Sequence, residues 1–390
     1  MSKPSRSTKT STARRGRGAT PIDPGVARSG RWLVSGTPHL TYLAALGGVL
    51  CFLAFTIGGS EIATNAPAVL ARGFDWTGPD SWAAALMRTG SLTLDILTVA
   101  IAGCIAHAIA DRPGVIPGVI GGLTAVTLDA GYLGGLTAGL IAGAATRALG
   151  RINIRRLKVG MTGVLPLVAT VITAVVLFAF VGPMLSWTQT WLTGQLIGLE
   201  FSNQIVLGLI LGLLMCCDLG GAIGKTAFGF GTMGISSPDP STPHLTFMAV
   251  VMATGMVPPL GMALATLLRR SLFSETERRY GRVSWLSGLA FVPEGAVPFA
   301  LTDPLRVIPA NMAGGAVTGV VAMKLGPTAA TAAGGVFAAT HLGKPLMFAA
   351  AVAAGTLVTA GVAVGLKSLR RAQFPALEDR TVRARVALAK

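Results

Sequence analysis

Long apolar runs separated by short polar stretches cover the chain from residue 39 to residue 366. Full-length runs lie at 39–59, 91–110, 159–181, 244–268 and 345–366. Shorter runs, several of them rich in glycine, lie at 115–128, 131–149, 204–217, 222–235, 311–323 and 328–342, and a long run at 284–309 is broken by prolines. Because about 20 apolar residues in a helix span the hydrocarbon core of a bilayer, this pattern predicts an all-α membrane protein.

Basic residues lie in two clusters between apolar runs, at 147–158 and 269–282, and in both tails. Lys and Arg accumulate on the cytoplasmic side of membrane proteins, so we expect both clusters and both termini to be cytoplasmic. Counting the short runs as crossings where this orientation requires them predicts a polytopic helical bundle of about ten transmembrane helices. The broken runs predict re-entrant or interrupted segments, which mark binding sites in transporters.

The polar ends define the predicted domain organisation. Residues 1–37 are expected to form a disordered basic cytoplasmic tail, residues 38–368 the transmembrane domain, and residues 369–390 a second basic cytoplasmic tail. The first tail is rich in Ser, Thr, Arg and Gly and lacks the apolar core of a cleaved signal peptide.

Composition agrees with a membrane protein, since 52% of the residues are hydrophobic, 12% are charged and the mean hydropathy is +0.64. A soluble domain has roughly twice that charged fraction. The net charge of +16 is concentrated at the ends, with eight Lys and Arg in residues 1–31 and seven in residues 367–390. No basic run is interleaved with stacking aromatics, so nucleic-acid binding is not predicted. We expect the basic clusters to meet anionic membrane lipids instead.

The cysteines and histidines are not spaced along the chain as metal ligands are. The cysteines, all within apolar runs, are Cys51, Cys104, Cys216 and Cys217, and scattered histidines include His107, His244 and His341. Buried thiols of this kind behave as small hydrophobes. Neither a metal nor a cofactor is predicted.

Glu294 is the clearest candidate for chemistry, because an ionisable group inside an apolar run is costly and suggests function by default. It lies between Pro293 and Pro298 in the apolar stretch 291–299. A carboxylate in a proline-broken segment can accept hydrogen bonds from adjacent sugar hydroxyls, or take a proton from a hydroxyl that attacks a phosphoryl group. The alternative is a structural acid paired with Arg306 or with a backbone amide.

Other ionisable residues in or beside apolar runs allow more than one interpretation. Asp218 and Lys225 bracket a glycine-rich turn that is one residue short of a Walker phosphate loop, which favours close helix packing for its glycines. Asp303 fits a local ion pair with Arg306 at a helix start, whereas Arg306 could equally meet a phosphate or an acidic partner. Asp95 and Asp129 are either cavity-facing or interfacial.

Several strings resemble the membrane-embedded enzyme IIC family of fructose-type phosphotransferase systems. They are 109–118 with 131–135, 218–225, the Gly-Met-Val-Pro-Pro-Leu-Gly of 255–261, and 294–309 with its Glu-Gly-Ala-Val-Pro-Phe and Asp-Pro-Leu-Arg-Val-Ile-Pro. The strings agree in order over residues 38–368.

The resemblance implies group translocation of a ketohexose, with fructose as the expected substrate. Sugar would bind from outside, a mobile domain would carry it across the bacterial inner membrane, and a phosphocysteine on a IIB partner would phosphorylate it. The family forms homodimers and works with IIB and IIA subunits, which are expected here in trans. Glu294 falls on a glutamate that binds sugar hydroxyls in related permeases of the glucose superfamily. The expected substrate-binding residues are Glu294, Asp218, Lys225 and Arg306, and no residue of this chain is expected to be catalytic or phosphorylated.

The chain lacks three polar side chains of the family pattern. Pro293 replaces a Thr beside the glutamate, Ala333 replaces the His of a Pro-His-Gly-Gly string, and Gly224 replaces an Asn before the lysine. No Cys-Pro-Thr-Gly motif of a IIB phosphorylation loop occurs. Two hypotheses follow: a permease subunit of a sugar phosphotransferase served by a separate IIB protein, or a diverged transporter or sugar sensor uncoupled from phosphoryl transfer.

Overall fold

The computed structural model describes residues 24–151, 161–200, 202–235 and 241–373. The α-helices are α1 Pro24–Gly58, α2 Ile62–Ala71, α3 Pro79–Ala110, α4 Arg112–Thr127, α5 Gly131–Arg151, α6 Met161–Val176, α7 Gly182–Glu200, α8 Gln204–Cys217, α9 Ala222–Ile235, α10 Thr242–Leu268, α11 Glu275–Gly281, α12 Ser284–Leu289, α13 Val297–Thr302, α14 Pro304–Leu325 and α15 Pro345–Gln373. A π-helical turn, Leu177–Val181, joins α6 to α7, and 3₁₀ turns lie at Arg270–Leu272, Pro293–Ala296 and Gly335–His341. The strands β1 Thr328–Ala329 and β2 Leu342–Gly343 pair antiparallel.

Six helical stretches within the described ranges are long and apolar enough to cross a membrane. They are Leu40–Gly58, Pro79–Ala110, Val164–Glu200, Thr242–Leu268, Pro304–Leu325 and Pro345–Leu369. The prediction of an all-α, multi-pass membrane protein is therefore confirmed. The number of about ten crossings and the cytoplasmic termini stay predictions.

Two apolar runs differ from the helices that the pattern predicts. The run 328–342 is not a membrane helix, since β1, a 3₁₀ turn and β2 fill it. Gly334 and Gly335 there have φ of 110° and 55°, values that an α-helix does not allow. The run 284–309 is divided into α12, the 3₁₀ turn Pro293–Ala296, α13 and the start of α14. Prolines at the starts of these pieces end the preceding hydrogen-bond ladders.

The first helix begins at Pro24, so it includes residues 24–37, which the composition assigns to the first tail. Residues 1–23 of that tail and 374–390 of the second tail lie outside the described residues, as do Arg155, Arg156 and Lys158 of the first internal basic cluster. The predicted domain boundaries stay predictions.

The helices pack in two groups. In the first group α3 contacts α1, α4 and α5, and α4 contacts α5; α8, α10, α14 and α15 form the second group. α10 lies at the centre of the second group, because 89% of its most apolar window is buried, whereas the corresponding value for α14 is 44%. α10 therefore has little surface left for lipid.

α8 and α14 cross with their backbones in direct contact. A Cβ added at Gly212 would collide with the Gly315 carbonyl, and one added at Gly319 would collide with the Gly208 carbonyl. Each helix thus contributes a Gly-x-x-x-Gly pair, and the pairing order makes the crossing antiparallel. Small residues permit such close approach in lipid, where no hydrophobic force draws helices together.

Candidate functional site

Glu294 lies on the 3₁₀ turn Pro293–Ala296, at the break between α12 and α13. Its half-buried side chain lies against the backbone of Gly220, so that a Cβ placed on Gly220 would be 2.5 Å from the Glu294 Cδ atom. The carboxyl group and the loop between α8 and α9 therefore meet directly. Gly220 has a φ of 94°, so both its backbone conformation and its neighbour require glycine.

Asp218 organises the loop against which Glu294 lies. Its side chain is buried, and its two carboxylate oxygens accept hydrogen bonds from the backbone N–H of Ile223 at 2.7 Å and of Gly224 at 3.0 Å. These amides belong to the first turn of α9, where the helix dipole also favours a negative charge. The geometry favours a positioning role for Asp218, and its predicted contact with substrate stays a prediction.

Asp218→Asn is expected to lower the free energy of unfolding by about 1–3 kcal/mol, because an NH₂ group would face a buried backbone N–H. The measurement is the Tm of the purified full-length protein in detergent. Asp129→Asn is the matched control, since its side chain is 72% exposed and exposed ion pairs contribute less than about 1 kcal/mol. Equal Tm losses in the two variants would contradict this role for Asp218.

Lys225 brings a third loop to the site. Its Nζ lies 2.5 Å from the Asp129 Oδ1 in the loop between α4 and α5. At the start of α5, directly after this loop, a Cβ added at Gly131 would collide with the Gly221 Cα. The charge of Lys225 acts on both Glu294 and Asp95. Asp95 and Asp129, left open by the sequence, thus lie in the electrostatic surroundings of the Glu294 turn.

Arg306 is engaged elsewhere. Its Nη1 donates to both Asp303 carboxylate oxygens, at 2.9 and 3.1 Å, and its Nε donates to the Leu366 carbonyl at 3.1 Å. The local ion pair predicted for Asp303 is confirmed, with Pro304 as the first residue of α14. Within the described residues Glu294 forms no ion pair with Arg306. Substrate binding by Arg306 stays a prediction.

Strained backbone concentrates where these loops meet. The described non-glycine residues with positive φ are Asp111, Asp129, Leu219, Phe291 and Lys344. Of these, Asp129, Leu219 and Phe291 belong to the three segments around Glu294. Such conformations cost about 1–3 kcal/mol each and cluster at binding sites. Sequence reasoning missed Leu219 and Phe291, because nothing in their residue type signals a left-handed conformation.

The described residues contain no group of three or more His, Cys, Asp and Glu side chains placed to hold a metal ion. The arrangement around Glu294 offers a carboxylate, an ammonium group and backbone groups from three loops. These groups can accept hydrogen bonds from hydroxyl groups and donate hydrogen bonds to them, as the recognition of a polyol requires.

Comparison with known proteins decides the family. The chain is 40% identical over 286 residues to the fructose permease IIC component of Bacillus amyloliquefaciens, which covers 72% of this chain and 92% of that relative. The chain belongs to the fructose-type enzyme IIC family. It is also 33% identical over 355 residues to the fructose-specific EIIC component of Haloferax volcanii, covering 86% of this chain and 91% of that relative. No protein-family model matches the chain.

Some relatives in this family are longer proteins. The chain is 37% identical over 333 residues to the fructose-specific EIIABC component of Bacillus subtilis, covering 84% of this chain. It spans about half of that relative, at 50% of its length. The family resemblance carried by the sequence strings is thereby confirmed.

Proposed function

We propose that the chain is the sugar permease subunit of a phosphotransferase system, which moves a ketohexose across the membrane for phosphorylation by a IIB partner. Fructose is the proposed substrate, in keeping with the relatives named as fructose permeases or fructose-specific components. The observation that carries the proposal is the Glu294 carboxyl, set on a broken helix against the Gly220 backbone. An acid without a role inside this apolar segment would be an uncompensated cost.

The chemistry of binding follows from the groups present. The Glu294 carboxylate accepts hydrogen bonds from two adjacent sugar hydroxyls, and Lys225 donates to a sugar oxygen. Asp218 keeps the α8–α9 loop in place, so that the Gly220 backbone lies directly against the Glu294 carboxyl group. Arg306, paired with Asp303, is a weaker candidate for direct contact.

Phosphoryl transfer uses the partner's chemistry. The sugar hydroxyl oxygen forms a bond to the phosphorus of the IIB phosphocysteine as the sulfur–phosphorus bond breaks and the thiolate leaves. In the proposed step the Glu294 carboxylate accepts the hydroxyl proton. This chain contributes no phosphorylated residue in the proposed cycle.

The proposed assembly is a homodimer in the bacterial inner membrane, with both termini cytoplasmic and IIB and IIA subunits acting in trans. Relatives named EIIABC and EIIB'BC components support an association of this kind. The basic clusters would meet anionic lipid headgroups at the cytoplasmic surface.

The test is uptake of labelled fructose by cells that lack their own fructose permease and express this chain with or without a cognate IIB protein. Accumulation of sugar phosphate that requires IIB is the expected result. Entry of free sugar without IIB would instead identify a facilitator uncoupled from phosphoryl transfer. Absence of uptake, with the protein shown to be in the membrane, would overturn the permease proposal.

A further inference from the structure

Tyr280, on the short helix α11, reaches the turn that carries Glu294. Its hydroxyl donates a hydrogen bond of 2.6 Å to the carbonyl of Gly295, the residue that follows Glu294. The Tyr280 ring packs against Phe299 of α13, with the ring centroids 5.3 Å apart, and only 3% of the tyrosine is exposed. α11 thus contacts the Glu294 segment at the turn itself and in the helix after it.

α11 is itself firmly anchored. Ser274 and Glu277 form a reciprocal capping box at its start, with the Ser274 N–H donating to the Glu277 Oε2 at 2.7 Å. The Glu277 Oε1 accepts from the Lys367 Nζ at 2.7 Å and from the Thr302 hydroxyl at 2.9 Å. One carboxylate therefore joins α11 to α15 and to the end of α13.

Glu277 is ionised in this setting. Burial alone would raise the pKa of its carboxyl group, but the Lys367 ammonium and the surrounding donors hold that pKa below its ordinary value. Lys367 also lies over the Phe273 ring, 4.3 Å from its centroid. A buried ion pair adds little net stability, but removing either partner is costly, so such a pair keeps its elements in one arrangement.

The Glu294 turn needs an external support of this kind. Pro293 has no N–H to donate and no side-chain hydroxyl, so it cannot tie the start of the turn to a neighbour. The turn has only four residues, and the Gly295 N–H donates to the Val292 carbonyl at 3.1 Å. The Tyr280 hydroxyl supplies a bond from a fixed, buried side chain to the peptide group next to Glu294.

We propose that Tyr280 is a positioning residue for Glu294. Its hydroxyl holds the Gly295 carbonyl, and so sets the direction in which the Glu294 carboxylate points toward Gly220. The anchorage of α11 through Glu277 and Lys367 keeps the tyrosine in place. The inference rests on the proposed function of Glu294 as a sugar-binding carboxylate.

Tyr280→Phe tests the proposal, because it removes the hydroxyl and keeps the ring against Phe299. The KM for fructose in IIB-dependent phosphorylation by membrane vesicles is expected to rise about tenfold, with the rate at saturating sugar changed less than about twofold. Assays are run well below the measured Tm of both proteins. Tyr42→Phe, at a tyrosine that is 67% exposed, is the matched control and is expected to leave the KM unchanged.

A merely structural role would give a different result. It would lower the Tm and the amount of active protein, and so the maximal rate, with the KM unchanged. That outcome overturns the proposal. If Tyr280→Phe does not accumulate in the membrane, Thr302→Val replaces it, since it removes one of the bonds that anchor α11. A rise in KM of about threefold is then expected, and an unchanged KM overturns the proposal.

Glu294→Gln in the same vesicles distinguishes the proposed sugar-binding role of Glu294 from the positioning role of Tyr280. If this variant handles fructose like the wild type, the proposed function of Glu294 fails. If it loses fructose handling while Tyr280→Phe keeps the wild-type KM, only the positioning role fails.

Discussion

Glu294→Gln is expected to reduce IIB-dependent accumulation of fructose phosphate by at least about a hundredfold. An amide keeps the size of the side chain but removes the charge and replaces one acceptor with a donor. Each hydrogen bond to a charged group contributes about 1.5–3 kcal/mol, so the loss of two such bonds accounts for a factor of this size. The measurement is uptake of labelled sugar, normalised to the amount of protein in the membrane.

Glu275→Gln is the matched control for that experiment. Glu275 is a glutamate on α11 that forms an exposed ion pair with Arg279, and its side chain is 67% exposed. Its replacement is expected to leave uptake within about twofold of the wild type, because exposed pairs contribute little. Equal uptake by Glu294→Gln and the wild type would show that the Glu294 carboxylate is not required for sugar binding.

Gly220→Ala is expected to reduce the affinity for fructose by at least about tenfold, since even 1.4 kcal/mol is a factor of ten. The new Cβ would collide with the Glu294 carboxylate, whose Cδ would lie 2.5 Å away. Alanine also disfavours the left-handed φ of 94° at this position, so the loop would shift as well. Fructose binding to the purified full-length protein gives the affinity, and its Tm reports the change in stability.

Gly229→Ala serves as the control within the same region. Gly229 lies in α9, and a Cβ added there meets nothing within 4 Å. Alanine is favoured over glycine in a helix by roughly 1 kcal/mol, so the Tm is expected to stay the same or rise. A fall in affinity for Gly229→Ala as large as that for Gly220→Ala would show that the effect does not arise from the Glu294 contact.

The long helices were predictable because their signal is local. An apolar run of membrane length keeps its meaning wherever it packs, as for α10 and α15. The run 328–342 misled for the opposite reason. Its small apolar residues fit a helix, whereas Gly334 and Gly335 have positive φ and lie against Ser60 and the Leu289 carbonyl. Contacts with residues so far away in the sequence produce no periodic hydrophobic pattern within the run 328–342.

The candidate site likewise combines residues that the sequence reveals locally with residues whose roles depend on the fold. Glu294 was identifiable because a carboxylate between prolines in an apolar run is conspicuous in any context. The role of Asp218 emerges only with the amides of Ile223 and Gly224, whose directions depend on the fold. Tyr280 was missed because its partner is a backbone carbonyl 15 residues away. Every residue has a backbone carbonyl that can accept a hydrogen bond, so the identity of Gly295 does not reveal that it is the partner of Tyr280.

The glycine crossing of α8 and α14 has a mechanical consequence. α8 ends at Cys217, just before the Gly220 loop, and α14 begins at Pro304, after α13, which follows the Glu294 turn. Since the backbones touch at two points one helical turn apart, sliding or rolling of one helix would drive it into the other. We therefore expect the two helices to move as one rigid unit, which is connected directly to the Gly220 loop and, through α13, to the Glu294 turn. Under the proposed function, a movement of this pair that carried sugar across the membrane would move the Gly220 loop and the Glu294 turn together, so the contact between Gly220 and Glu294 would not have to open during transport.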